Sequence, residues 1–92
     1  MRQLAFSPAS RKDLRKMPPG RAVQVLNALE ALSSLANPLL SANVRKLRGP
    51  GGYHRLRTGD FRTVFRLQGD LIRVLRIFDR KDMDRILTSL WN

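Results

Sequence analysis

A small single α+β domain, ordered β-α-α-β-β-β-α with an antiparallel sheet and helices packed on one face, is predicted by three features of this sequence. The 92 residues are 42% hydrophobic, enough for one modest core and too few for two. The first half carries apolar residues at helical spacing. The second half carries short runs rich in aromatic and branched residues, separated by Thr58-Gly59-Asp60 and Gln68-Gly69-Asp70, the punctuation of a β-meander. Residues 1–92 are therefore read as one domain, without an internal repeat or a low-complexity tail.

Each element has its own signal. Leu4 and Phe6 share one side of a short extended segment, and Ser7-Pro8 reads as a helix cap followed by proline at the first helical position. The helix from about 8 to 17 is mostly charged, anchored by Leu14 and Met17, and Pro18-Pro19 stops it. From Gly20 to Ala36, apolar residues at 22, 25, 26, 29, 32 and 36 lie on one helical face, and Asn37-Pro38 closes the run. The meander follows as Tyr53–Thr58, Phe61–Leu67 and Leu71–Phe78. In its second strand Phe61, Thr63, Phe65 and Leu67 share one face while Arg62, Val64 and Arg66 share the other, so one face is core and one is basic. The third run is apolar on both faces, as befits a central strand. Met83, Ile86, Leu87 and Leu90 then suit a short closing helix.

Charge narrows the function. Eighteen Lys plus Arg against seven Asp plus Glu leave a formal charge of +11. So large a like charge on so small a surface is tolerated where it has a use, and guanidinium groups grip phosphates through paired hydrogen bonds. The chain has no cysteine and a single histidine, so no disulfide scaffold, Cys nucleophile, metal centre or cofactor is expected. No apolar run reaches the roughly 18 residues that span a bilayer, and the start MRQLAFSP lacks the apolar stretch of a signal peptide; a cytoplasmic protein without a membrane partner is expected.

The basic residues cluster from Val44 onward: Arg45, Lys46, Arg48, His54, Arg55, Arg57, Arg62 and Arg66, with Tyr53 and Phe61 interleaved and Arg73, Arg76, Arg80, Lys81 and Arg85 following. Strand parity puts Tyr53, Arg55 and Arg57 on one face, alongside Arg62 and Arg66. Opposed like charges destabilise a sheet unless an anion lies between them, so this face is read as a phosphate-binding surface. Arginines there can also stabilise the charge that builds on a phosphorane during RNA cleavage. His54 is the one side chain of a type that titrates near neutrality, hence a candidate base, but the same parity turns it toward the helices, where a packed histidine is equally expected.

The stretch KLRGPGGYHRLRTGDFRTVFRL, Lys46 to Leu67, resembles the K-L-x-G … Y-R-L-R-x-G-D-(Y/F)-R signature of the RelE/ParE toxin superfamily, and DRKDMDR at 79–85 is similar to its terminal motif. The resemblance implies the toxin of a type II toxin–antitoxin pair. In the RelE branch such toxins cut messenger RNA on the ribosome without a metal, leaving a 2′,3′-cyclic phosphate; in the ParE branch the same fold poisons DNA gyrase. Carried over by motif, Arg62 is implied to stabilise the transition state, Arg80 to serve the leaving group or phosphate, and Arg55, with His54, to support the base and bind substrate. Arg45, Lys46, Arg48, Tyr53, Arg57, Arg66 and Lys81 are expected to bind nucleic acid. The family's frequent C-terminal Tyr is replaced by Asp84, with Tyr53 a candidate substitute. A cognate acidic antitoxin is the implied partner, expected to meet Met83, Ile86, Leu87, Leu90 and Trp91. Three readings stand open: a ribosome-dependent endoribonuclease, a gyrase-directed toxin, and a basic binding module without catalysis.

Overall fold

The computed structural model describes residues 1–91. Asn92 and the side chain of Trp91, expected above to meet a partner, lie outside the described residues.

Strand β1 (Gln3–Phe6) runs into helix α1 (Pro8–Lys16). The Ser7 hydroxyl oxygen accepts the Ser10 amide at 3.0 Å while the hydroxyl donates to Leu75 O at 2.7 Å, and Pro8 sits where the helix needs no amide. Pro18-Pro19 ends this path and helix α2 (Pro19–Ser33) starts at once. It stops three residues before the expected Ala36, and the Ser34 amide closes the last turn on Ala31 O and Leu32 O. After a 3₁₀ turn (Pro38–Leu40) come β2 (Val44–Lys46), β3 (His54–Thr58), β4 (Phe61–Gln68) and β5 (Leu71–Asp79), then a second 3₁₀ turn (Arg80–Asp82) and helix α3 (Met83–Trp91).

The expected meander forms the middle of a five-stranded sheet ordered β1-β5-β4-β3-β2. Two Gly-Asp loops close its hairpins, with Gly59 and Gly69 both at φ 58°, a left-handed geometry that glycine adopts without a Cβ clash. Strand β1 lies parallel to β5, pairing Gln3 with Leu71 and Phe6 with Val74. Strand β2, which is too short to announce itself in the sequence, pairs antiparallel with β3.

One sheet face packs Leu56, Phe65, Ile72, Val74 and Ile77 against Val25, Leu29 and Leu32 of α2. The expectation of helices on one face is corrected here: α3 covers the opposite face. Val64 and Phe78, of opposite parity to the core set, form with Leu47 an apolar strip that Ile86 seals, with Met83, Leu87 and Leu90 packed around it. A central strand apolar on both faces needs cover on both, and α3 is the element available. The register of β4 on β5 slips between Val64 and Phe65, a bulge that Asp13 of α1 locks. Its carboxylate accepts the Ile77 amide at 2.9 Å and holds Arg76 by two bonds, from Nε at 2.9 Å and Nη2 at 3.1 Å.

Candidate nucleic-acid interface

Cross-strand registers build the basic face. In three places arginines stand directly opposite one another on the side away from α1 and α2: Arg45 with Arg55, Arg57 with Arg62, and Arg66 with Arg73. Each pair costs sheet stability unless an anion intervenes. The apolar strip under α3 divides this face. At one end, by the β3–β4 turn, lie Arg57, Arg62 and Arg80, continued toward the β2 edge by Arg55 and Arg45. Arg62 curls back over the turn, donating from Nη1 to Gly59 O at 2.8 Å and to Phe61 O at 3.0 Å. The Arg80 amide donates to Asp60 O at 2.8 Å, which pins the start of the 3₁₀ turn beside the same hairpin.

Electrostatics give the same picture. Partial burial, then the nearness of Arg57 and Arg80, lowers the basicity of the Arg62 guanidinium, with Asp60 and Asp79 acting in the other sense. Burial, then Arg62, Arg45 and Arg57, lowers that of Arg55. Guanidinium groups stay protonated at neutral pH regardless. The downward shifts thus record burial first and, second, the mutual repulsion of neighbouring arginines. Asp60 approaches Arg80 only to 3.7 Å, in an exposed pair, too weak to neutralise five cations.

At the other end Tyr53 and Arg66 form a separate unit. The Arg66 guanidinium lies 4.7 Å from the Tyr53 ring centre and donates from Nε to Gly51 O at 2.7 Å. A Cβ at Gly51 would stand 2.7 Å from the Tyr53 ring, so the glycine loop seats closely on it. Tyr53 is thus held at Arg66, away from the Arg62 end. Arg48 and Lys81 are exposed near the two ends.

Two expected site residues fall elsewhere. His54 pairs with Lys46 and Phe65 on the face toward the helices. Its ring stacks on Phe65 at 5.8 Å, and its Nδ1 is buried without a hydrogen-bond partner. It is a packing residue, separated by the sheet from Arg55 and Arg62. Lys46 shares its parity and is exposed away from the arginine pairs. On α3, Ile86 is 3% exposed and packs into the core, while Met83, Leu87 and Leu90 are half-buried.

The sequence reading missed a groove. It measures about 670 Å³ and runs between Ala28 and Ala31 of α2, with Leu35 just beyond the helix, and the β3–β4 hairpin, with Asn43 at one wall. Arg57, Asp60, Arg62 and Arg80 line it, so the arginine cluster opens into a concavity. Asn43 Oδ1 accepts Arg57 Nη2 at 3.3 Å, and its backbone oxygen accepts the Arg57 amide at 2.9 Å. Among the described residues no group of His, Asp and Glu is arranged to hold a metal ion, and no helix is long and apolar enough to cross a membrane.

Comparison with known proteins agrees with this architecture. The model of the ParE toxin family, toxins of type II toxin–antitoxin systems of the parDE kind, matches residues 4–84. The fold is similar to the RelB–RelE antitoxin–toxin complex from Methanococcus jannaschii, at 23% identity and a TM-score of 0.71, covering 88% of this chain and 95% of that one. It is also similar to the intact RelBE toxin–antitoxin complex of E. coli, at 26% identity and a TM-score of 0.67, covering 86% and 96%. The YoeB–YefM complex from Staphylococcus aureus aligns at 17% identity and a TM-score of 0.67, covering 84% and 94%. No curated protein matches the chain.

Proposed function

This chain belongs to the ParE toxin family of type II toxin–antitoxin systems, and we propose that within that role it is a metal-independent, ribosome-dependent endoribonuclease that cleaves messenger RNA. The observation that carries the reading is the cluster of Arg55, Arg57, Arg62 and Arg80, cations pressed together by strand register and a pinned turn, opening into a groove. In the reaction, a ribose 2′-oxygen attacks the adjacent phosphorus, the P–O5′ bond breaks, and a 2′,3′-cyclic phosphate and a 5′-hydroxyl result. The phosphorane on the way carries extra negative charge. Arg62, held by two backbone carbonyls, is a preoriented donor for it, and Arg80 stands beside it to stabilise the departing O5′, which takes its proton from water. The attacking hydroxyl must lose a proton. Asp60, between these arginines on the hairpin, is the carboxylate that the geometry offers as acceptor.

The solved relatives are toxin–antitoxin complexes, which supports an antitoxin partner here; an acidic one would neutralise the arginine face. Induced expression followed by primer extension on cellular messenger RNA tests the nuclease reading. Discrete cuts within codons are expected; their absence during growth arrest removes it. A second reading, a toxin directed at DNA gyrase, is favoured by the family assignment itself. DNA breaks or gyrase inhibition without messenger cuts would establish that alternative.

A further inference from the structure

The groove has one wall that phosphate chemistry does not use. On α2, Ala31 is exposed, and Leu35, just past the end of the helix, is 43% exposed; together with Ala28 they present a strip of methyl groups toward the hairpin. The facing wall is polar, with Asn43, Thr58 and the Gly59-Asp60 turn. The Thr58 hydroxyl is buried and finds no hydrogen-bond partner in the protein, and Thr58 lines the groove. Arg57, Arg62 and Arg80 stand at the junction of this concavity with the basic face. Apolar wall, polar wall and cationic mouth are the three surfaces of a nucleotide site: base, sugar and phosphate.

We propose that this groove is a subsite for the nucleotide flanking the scissile bond, with its base against Ala28, Ala31 and Leu35 and its phosphate on Arg57 and Arg80. The inference rests on the reading of the arginine cluster as a phosphate site and extends it to a second nucleotide. A volume of about 670 Å³ falls within the roughly 300–1,000 Å³ typical of small-ligand sites. Charge complementarity selects the occupant: the mouth carries three guanidinium groups and a single carboxylate, Asp60, in a weak exposed pair with Arg80 at 3.7 Å. An amphipathic helix from a protein partner fits less well, because it needs apolar surface on both walls. The most exposed apolar side chains of this region, Leu40 at 80% and Val23 at 55%, also lie outside the groove. Among the described residues the walls hold no aromatic ring, so the subsite recognises a base by the area it covers on methyl groups. Purines are therefore preferred modestly over pyrimidines, without a strict sequence requirement.

The test uses the whole chain and two uncleavable 2′-O-methyl probes: a dinucleotide that spans one phosphate and a trinucleotide that adds the flanking unit. The trinucleotide should shift the amide resonances of Ala28, Ala31 and Leu35, whereas the dinucleotide should shift only those of the arginine face. Ala31→Trp, which fills the groove from an exposed position, should weaken trinucleotide binding about tenfold or more, the scale of one lost base contact, and change dinucleotide binding less than about twofold. Ala31→Glu, which keeps the helix and brings a carboxylate to the phosphate, should do the same and serves if the tryptophan variant misfolds. Trinucleotide binding that is unchanged in a folded variant, or no shifts on α2, overturns the proposal. So does displacement of the trinucleotide from α2 by an acidic peptide that binds there more tightly. Cleavage of ribosome-bound messenger RNA by the unmodified chain is measured in parallel. Groove shifts without cleavage uphold the groove as a nucleotide site beside the arginine-bound phosphate and remove the nuclease reading, and cleavage without groove shifts does the reverse.

Discussion

Arg57 and Arg62 are direct cross-strand partners in the β3–β4 hairpin. The Arg57 amide donates away from that pair, to Asn43 O at 2.9 Å. The two arginines therefore form a non-hydrogen-bonded pair, the kind in which opposed side chains approach most closely. The fold keeps this repulsion, and stability and function should respond to its removal in opposite senses. Arg62→Ala is expected to leave thermal stability unchanged or raise it by up to ~1 kcal/mol at low salt. The same change should lower the cleavage rate by roughly 10²–10³-fold, the usual cost of losing a donor aimed at developing charge. A folded variant that still arrests growth would remove Arg62 from the reaction.

Asp60→Asn separates proton transfer from binding. It removes a negative charge beside Arg62 and Arg80 while keeping the hairpin shape, so affinity for RNA should stay level or rise. Cleavage by a saturating enzyme should fall at least about tenfold, since a positioned proton acceptor contributes roughly 10²–10⁴-fold. A residue that only shaped the turn would lower both quantities together. Parallel measurement of binding and single-turnover cleavage decides the matter.

His54→Phe tests the packing role assigned to that residue. The imidazole stacks on Phe65 and buries an Nδ1 that no group meets. A phenyl ring keeps the stack and removes the unmet polar atom, so stability should hold or rise by about 1 kcal/mol. Cleavage should stay within about twofold at every pH tested. A large activity loss in a well-folded variant would return His54 to the site.

Much of the basic face was legible because the side-chain period of a strand is two: Arg55, Arg57, Arg62 and Arg66 fall together once the meander is recognised. The same parity placed His54 and Leu56 opposite them. The groove was not legible, since Ala31 and Leu35 meet the hairpin across a long loop and no local pattern links them. Nor was the side on which α3 packs. Its stripe of Met83, Ile86, Leu87 and Leu90 declares an apolar face, but only the doubly apolar β5 indicates that two sheet faces need cover. Strand β2 escaped because Val44-Arg45-Lys46 is three residues long, below the length at which alternation carries information.

Asp13 joins Arg76 across 63 residues of sequence, another relationship that only the fold creates. Its carboxylate is the shared acceptor for a guanidinium and for the Ile77 amide at the bulge, and the bond in turn raises the basicity of Arg76. With side chains 27% and 15% exposed, the pair is shielded enough that removing one partner strands the other. Asp13→Ala should destabilise the domain by about 2–3 kcal/mol, read as a lower urea midpoint, while the affinity of the folded fraction for RNA stays unchanged. A loss below about 0.5 kcal/mol would place the bulge under other control.

Salt dependence discriminates among the cations by the face each occupies. Binding to single-stranded RNA should weaken as salt rises, with log K falling by about 0.7 per phosphate contact for each unit of log salt. Arg45 and Arg57 stand in opposed pairs on the arginine face, so replacing either with Ala should lower the slope by up to about one unit. Lys46, one residue from Arg45, lies on the other side of the sheet with His54. Lys46→Ala should therefore change the slope by well under half a unit, although it removes the same charge from the same strand. Net charge alone would make the variants indistinguishable, because long-range attraction depends on total charge. Equal slopes for all three would mean that RNA senses only the overall field of the protein, and the arginine face would lose its claim to be the binding surface.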